Sequence, residues 1–410
     1  MKGYTYLIIG GGIAGGKACE GIREVDQESS IALITKEGHR PYQRPPLSKG
    51  YLKNEVDLDH VYLHPSEKYQ ELNVNLIKGT EAAGLSPEDH IVTLEDGEEI
   101  GYEKLLLATG GSAIRLPIWG NELENVFTLR SIEDSQNIQE AAGVNKRALV
   151  MGGSFIGAEV SATLSQLGTQ VIEIFPESRL LEHVVPEELS EHLYDLFSEN
   201  NVRLLPDTLS EGLEGETSVQ RAILNNGERL DVDFVVMGVG IKLNTDFAKD
   251  SGLEIRQDGS IPVNQRLQTN QPDIFAAGDI TAWPDPHSDQ RLQVEHWDVA
   301  RRQGRIAGRN MAGKDQSYTA VPYFFSDLYD LSFEVWGDLT SWDQTVRRGS
   351  IKTGSFAYFY FAEGQLKGVL AVDRPDEERE AFKNLPELQP TFADVADKLQ
   401  DESFNLSEMV

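Results

Sequence analysis

Cysteine is almost absent from this chain: a single one, Cys19, in 410 residues. An intrachain disulfide, a reactive cysteine pair and a zinc site built from several thiolates are therefore excluded. Long hydrophobic runs are missing too, since no apolar stretch approaches the roughly 18 residues that span a bilayer. The opening "MKGYTYLIIGGGIAGGK" breaks into glycines after a few apolar residues, with no cleavage-site pattern, and reads as a strand rather than a signal peptide. A cytoplasmic protein without membrane attachment is the expectation. Positive charge is also scarce, 37 Lys and Arg against 67 Asp and Glu, for a net charge of −30. Such a field disfavours nucleic acid and anionic membranes as partners and reads as a solubility coat.

What is present is the composition of a soluble globular protein, 40% hydrophobic and 25% charged, in a chain long enough for two or three domains. An apolar run from Tyr4 to Ile9 meets a glycine turn and then a helical stretch; "SSIALIT" and "EKLLLATGG" supply two further β-rich runs. The pattern restarts at "KRALVMGGSFIGAEVSATLSQLG", followed by "TQVIEIF", "DFVVMGVG" and "DIFAAGD". Strands alternating with helices predict parallel sheets built from βαβ units. After about Asp315 the texture changes: "SFAYFYFAEGQLKGVLAV" predicts antiparallel strands around a Glu-Gly turn, then a helical tail.

Two glycine turns carry the first functional signal. Gly10-x-Gly12-x-x-Gly15 directly follows a strand and opens a helix, which lets a pyrophosphate approach the backbone at the helix N-terminus. Gly152-Gly153-Ser154-Phe155-Ile156-Gly157 repeats the context, with Ser154 replacing the middle glycine. Either turn alone could be a tight strand-to-helix connection; together they predict two dinucleotide sites. Asp279, at the end of "DIFAAGD", either caps a turn or accepts a hydrogen bond from a sugar-like hydroxyl.

With "GGGIAGG", "RPPLSKGYL", "LLLATGG", "FTLRSIEDS", "GGSFIGAEV", "DIFAAGD", "VEHWDVARRQGRIAG" and "VPYFFSDLYDLSFEVWGD" occurring in order, the chain resembles the flavin-dependent pyridine nucleotide oxidoreductases of glutathione-reductase fold. Within them it is most similar to oxygenase ferredoxin reductases, monodehydroascorbate reductase and apoptosis-inducing factor. The resemblance implies an α/β fold: two Rossmann-like dinucleotide-binding domains, for FAD (1–112 and 242–315) and NAD(P)H (113–241), and a C-terminal α+β domain (316–410).

It further implies FAD over Gly10, Gly12, Ala14 and Gly15, with contacts from Arg44, Lys49, Ala82, Thr109, Gly110 and Arg130. Gly278 and Asp279 would serve the ribityl chain, and Glu295, His296, Trp297 and Phe325 would lie near the flavin ring. Family members usually carry an acid just after the second strand to hold the adenosine ribose. Here Lys36 stands at that place, so Glu37 substitutes or the ribose is held differently. The nicotinamide cofactor would lie over Gly152, Gly153, Ile156 and Gly157, near Gly240. Glu177 near the strand end favours ribose hydroxyls, hence NADH; Arg179 keeps NADPH open. Glu159, read as lying on the first turn of its helix, either complements that helix terminus or pairs with Lys49 across the reactive face of the flavin.

No metal site is expected. Without a cysteine pair electrons must leave the flavin directly, which suits one-electron acceptors. An iron–sulfur carrier, ferredoxin or rubredoxin, is the expected partner. The alternatives are a small oxidant such as a quinone or monodehydroascorbate, or a redox sensor like apoptosis-inducing factor. Arg301, Arg302, Arg305 and Arg309 fall on neighbouring turns and either form a basic docking face or are merely solvated. Phe325 replaces a tryptophan common at that place in oxygenase reductases. The chain is expected as a monomer or homodimer.

Overall fold

The computed structural model describes residues 2–286 and 290–410. The elements that carry the candidate site residues are β1 (Lys2–Ile9), α1 (Ile13–Arg23), β2 (Ile31–Thr35) and α3 (Trp297–Met311) in one unit, and β3 (Arg147–Met151), α2 (Phe155–Gln166) and β4 (Gln170–Ile174) in the other. The chain divides into two compact units, one of Met1–Arg44, Asp57–Ser112 and Ile241–Ala320, the other of Pro45–Val56, Ala113–Gly240 and Val321–Val410.

In the first unit β1 is central. It pairs in parallel with β2 on one side and with Glu99–Leu107 on the other, setting Leu7 opposite both Ala32 and Leu105. Val74–Lys78 extends the sheet beyond β2, Ile274–Ala276 pairs with Glu99–Leu107, and an antiparallel pair, Ile91–Leu94 and Ala82–Ser86, completes seven strands. The continuous apolar run Leu7-Ile8-Ile9 is what a parallel strand covered on both faces requires, and all three residues are buried.

α1 and α3 cross at glycines and alanines. A Cβ on Gly304 would sit 2.2 Å from the Ala14 carbonyl oxygen, and one on Gly308 would sit 2.3 Å from that of Ala18. Backbone-to-backbone contact of this kind sets where α3 begins, and so where Trp297 stands.

The second unit repeats the theme with a parallel sheet in the order Val202–Leu205, β4, β3, Phe234–Met237, Val126–Thr128. It also holds the C-terminal antiparallel sheet, in the order Tyr323–Leu328, Leu331–Gly337, Gln365–Val372, Ser355–Ala362, Gln344–Ser350. Ser355–Ala362 is buried on both faces. Phe356, Tyr358 and Tyr360 enter one core, while Phe359 and Phe361 enter another beneath the helices Asp376–Leu388 and Phe392–Gln400. The expected Glu-Gly turn is present, with φ of 52° at Glu363 and 75° at Gly364, the left-handed pair that a two-residue hairpin demands. Among the described residues no helix is long and apolar enough to cross a membrane.

The tail is tied to this sheet by one buried cation. Arg348 is 2% exposed; its Nε donates to Glu378 at 2.7 Å and its other nitrogens to the carbonyls of Leu399, Asp401, Glu402 and Phe404. Burial raises the Glu378 carboxyl, but Arg374 and Arg348 overcome it and hold the group below its ordinary value. A depressed carboxyl stabilises the fold above its unfolded value, and that contribution fades as pH falls through the folded value. We predict that Arg348→Met lowers unfolding free energy by about 3–5 kcal/mol, the scale of stranding a buried charge. The loss should be largest at neutral pH and shrink on acidification; denaturant unfolding at several pH values measures it.

Candidate functional site

The first glycine turn requires glycine for steric reasons. Gly10 has φ of 121°, and a Cβ there would lie 2.0 Å from the Ala108 carbonyl oxygen. Gly12 differs: it is the N-cap of α1, no side chain caps that terminus, and a Cβ on it would meet nothing within 4 Å. The first-turn N–H groups therefore open onto a cradle with no acid in it, a ready anion site. Ala14 is buried beside Gly278.

Asp279 is presented at the end of Ile274–Ala276 by a residue that sequence reasoning missed. Gln303, wholly buried on α3, accepts from the Gly278 N–H at 2.9 Å and from the Thr281 hydroxyl at 2.7 Å. Its only sequence signal is a glutamine on the apolar face of an amphipathic helix. His296 caps α3; burial pushes its imidazole down to about 4 although Asp279 opposes this, so the ring is neutral near pH 7. Trp297 opens α3 with the Arg301 guanidinium 5.4 Å from its ring, and Glu295 is exposed just before it.

The four arginines of α3 are paired in twos. Arg301 and Arg302 meet Asp298, while Arg305 and Arg309 meet Glu24. Four cations against these two anions leave two positive charges on a half-exposed face.

Glu37 has partners of its own. Arg44 donates to its Oε1 at 3.0 Å and the Tyr42 hydroxyl to its Oε2, while Lys36 turns away to Glu81 at 2.7 Å. Each Glu37 oxygen still keeps a lone pair for a further donor. Ala82 is buried at the start of its strand. Thr109 spends its hydroxyl on the Asn244 carbonyl at 2.6 Å, and Gly110 takes φ of 59° beside it.

In the second unit the structure joins Lys49 and Glu159. Lys49 Nζ lies 2.5 Å from Glu159 Oε1, and the Glu159 side chain is 4% exposed. Two further donors complete the carboxylate, Ser326 Oγ at 2.6 Å on Oε1 and Ser48 Oγ at 2.5 Å on Oε2. Neither serine was expected; both stand next to expected residues, Ser48 before Lys49 and Ser326 after Phe325. The Phe325 ring lies 5.5 Å from the ammonium. Glu159 falls on the second turn of α2, not the first, so it points at Lys49 instead of complementing the helix terminus. Lys49 is placed by the short helix Pro45–Ser48, where Thr163 donates to the Ser48 carbonyl at 2.7 Å and Ser135 to the Leu47 carbonyl at 2.9 Å. Arg130 lies just before the capping box of Ser131 and Asp134 on the helix Ile132–Ala141.

The second turn also demands glycine. A Cβ on Gly152 would lie 2.4 Å from the Gly238 carbonyl oxygen, one on Gly153 2.7 Å from the Phe175 ring, and one on Gly157 1.9 Å from the Gly152 oxygen. Ser154 is the N-cap of α2 but does not cap it, which leaves this N-terminus open as well. Ile156 is 45% exposed above it, and Gly240 has φ of 101°. Beyond β4, Glu177 Oε2 and Arg179 Nη1 are shielded from solvent with no hydrogen-bond partner among the described residues. Both turns thus have the open amide termini that a dinucleotide pyrophosphate needs, and the second has unsatisfied polar groups where its ribose would be read. The one thiol, Cys19, is wholly buried on α1, and burial pushes it up to about 12.

Comparison with known proteins agrees with this geometry. Residues 4–304 match the family model for pyridine nucleotide-disulphide oxidoreductases and residues 323–410 that for the reductase C-terminal domain. The chain is 32% identical to the 3-phenylpropionate/cinnamic acid dioxygenase ferredoxin–NAD(+) reductase component of Photorhabdus laumondii, across 94% of this chain and 97% of that one. It is 30% identical to putidaredoxin reductase of Pseudomonas putida, across 98% and 96%. Among solved structures, the reductase in a covalent putidaredoxin reductase–putidaredoxin complex superimposes with a TM-score of 0.93 at 29% identity, covering 99% and 98% of the two chains. The disulfide of the family's description has no counterpart here, where one inert thiol is all the sequence holds. The chain belongs to the pyridine nucleotide-disulphide oxidoreductase family, as an FAD- and NADH-dependent flavoprotein reductase that works without a redox-active disulfide.

Proposed function

We propose that this protein is a ferredoxin–NAD(+) reductase, the activity for which one relative is named, and that it draws electrons from NADH and delivers them singly to an iron–sulfur carrier. The observation that carries this reading is the Lys49–Glu159 pair, its carboxylate buried and its ammonium mostly shielded, in a chain with no usable thiol. FAD, when bound, supplies the conversion of a two-electron donor into one-electron steps, which no side chain can perform.

The chain's own residues hold, orient and tune. The open N-terminus of α1 at Gly12 would take the FAD pyrophosphate, and that of α2 the pyrophosphate of NADH, within domains drawn as 1–112 with 242–315 and 113–241. Asp279, held in place through Gln303, would accept from a cofactor hydroxyl. Arg44 clamps Glu37, and the two would serve the adenosine side together, with Ala82, Thr109, Gly110 and Arg130 as further neighbours. The neutral His296 and Trp297 would place the positive end of α3 toward the flavin ring. Lys49 would keep one fixed positive charge at the reactive edge. Glu159 limits the cost of burying that charge, and Ser48 with Ser326 fixes the carboxylate. Glu177 would accept from the ribose hydroxyls of NADH, while Arg179 leaves NADPH as a weaker substrate. The surplus of positive charge on α3 suits docking of an acidic carrier to a protein that is otherwise strongly acidic. We place this activity in the cytoplasm.

Two experiments test the reading. Lys49→Met should slow flavin bleaching by NADH in stopped flow by about 10²-fold, the scale of losing one preorganised charge at a reacting centre, while FAD content is retained. An unchanged rate removes Lys49 from the mechanism. Under saturating NADH, an oxygenase-type ferredoxin or a rubredoxin should turn over at least about tenfold faster than quinones, monodehydroascorbate radical or oxygen. Faster turnover with a small oxidant would move the assignment to that acceptor. Slow turnover with all of them, together with NADH-dependent dimerisation, would favour a redox sensor.

A further inference from the structure

Glu173 has no part in the electron-transfer reading, and its position in the fold is costly. It lies on β4, opposite Val150 of β3 and Leu204 of the neighbouring strand, and it is wholly buried. Val171 and Phe175, which share its side of the strand, pack into an apolar core with Ala158, Ala162 and Phe197. Neither carboxyl oxygen makes a hydrogen bond or an ion pair among the described residues. The Ser161 hydroxyl on α2 is the one donor near it among the described residues and opposes the effect of burial only weakly, since it stays outside strict hydrogen-bonding geometry. A carboxylate in such surroundings avoids the desolvation cost by keeping its proton.

Its neighbour on the other side is the dinucleotide turn. Glu173 Oε1 lies 3.3 Å from the place a Cβ on Gly157 would occupy. The acid therefore packs against the first turn of α2, whose uncapped N–H groups form the anion site above. We propose that Glu173 is a proton-bearing positioning residue under the nicotinamide-dinucleotide turn, and that losing its proton weakens dinucleotide binding. This rests on the reading of that turn as the NADH site.

The physical basis is competition for one helix terminus. Protonated Glu173 is a neutral support for Gly157. Ionised, it places a buried negative charge against the same partial positive charge that would hold a pyrophosphate. Two anions sharing one terminus bind anti-cooperatively, and the coupling is reciprocal: dinucleotide binding must take up a proton wherever free Glu173 is ionised. Burial pushes the carboxyl up to about 8 from 4.5, so the change falls just above neutral pH.

Four charged groups on the surrounding elements are paired with other residues. Glu159 of α2 is held by Lys49, Arg147 of β3 by Asp233, Arg203 of the neighbouring strand by Glu228, and Glu188 of the helix Glu187–Glu199 by Arg347. The titratable group whose field couples to Glu173 is Tyr329. Its hydroxyl is 2.9 Å from Ser165, and burial pushes it up to about 12, so it stays neutral throughout the relevant range.

The test uses the FAD-loaded protein and NAD+, which binds without transferring electrons and has no group of its own titrating between about pH 6 and 9. Isothermal titration calorimetry in buffers of different ionisation enthalpy reads affinity and proton uptake together. The expected result is an affinity falling at least about fivefold from pH 6.5 to 9, with proton uptake on binding near pH 8, and neither effect in Glu173→Gln. Stability gives a second readout. An acid raised in the folded state costs stability progressively as pH rises from its unfolded to its folded value. Glu173→Gln should therefore gain on the wild type between about pH 4.5 and 8, where the wild type must keep a proton that the variant does not need. Should the variant not fold, difference infrared spectra of the wild type should show a protonated-carboxyl band at pH 6.5 that is lost by pH 9. Flat NAD+ affinity across this range, pH dependence that survives in Glu173→Gln, or absence of that band overturns the proposal alone. No NAD+ binding at any pH overturns the NADH site itself, and this inference with it.

Discussion

An ammonium mostly shielded from water persists only where the fold keeps a carboxylate for it, and here that carboxylate is itself fully furnished. Glu159 of α2 receives Lys49 and Ser48 from one segment and Ser326 from another, so three segments meet at one carboxylate. Removing any one donor leaves a buried oxygen lone pair or charge uncompensated, so the three segments are locked in one arrangement. The prolines before Lys49 restrict the backbone that carries it, and the hydroxyls of Ser135 and Thr163 fasten that backbone to two helices. The loop thus delivers a single charge with little freedom to move.

The chain uses one device twice, once in each compact unit. A strand ends, glycines let the backbone turn within van der Waals contact of a neighbouring carbonyl, and a helix begins with its amides unspent. Helix termini supply positive potential without a cation, an economical way to bind phosphates in a protein carrying a net charge of −30. The α1–α3 contact extends the scheme, since Gly304 and Gly308 bring the helices close enough to fix where Trp297 and His296 begin.

The parallel sheets, both glycine turns and the C-terminal antiparallel sheet were legible in the sequence, because each rests on a local pattern. The Lys49–Glu159 pair joins distant segments and was reached only through the family resemblance, as one of two readings of Glu159. What was not legible depends on contacts between distant segments. Gln303 looks like an ordinary helical glutamine until Gly278 and Thr281 are seen to use it. Glu37 could be read as a ribose ligand, but not as the partner of Tyr42 and Arg44. The arginine row on α3 reads as strongly basic in sequence, while Asp298 and Glu24 halve its charge in the fold. Glu173 stood inside an apolar strand with nothing in the sequence to show that no partner would meet it.

In the proposed reaction electrons pass from NADH to the acceptor with the flavin as their only store. Anaerobic titration of the FAD-loaded protein with NADH, followed by visible absorbance, counts that store directly. One equivalent of NADH per FAD should complete the bleaching, with no further uptake of reducing equivalents. A requirement for two would reveal a second two-electron centre and exclude the flavin as the sole store.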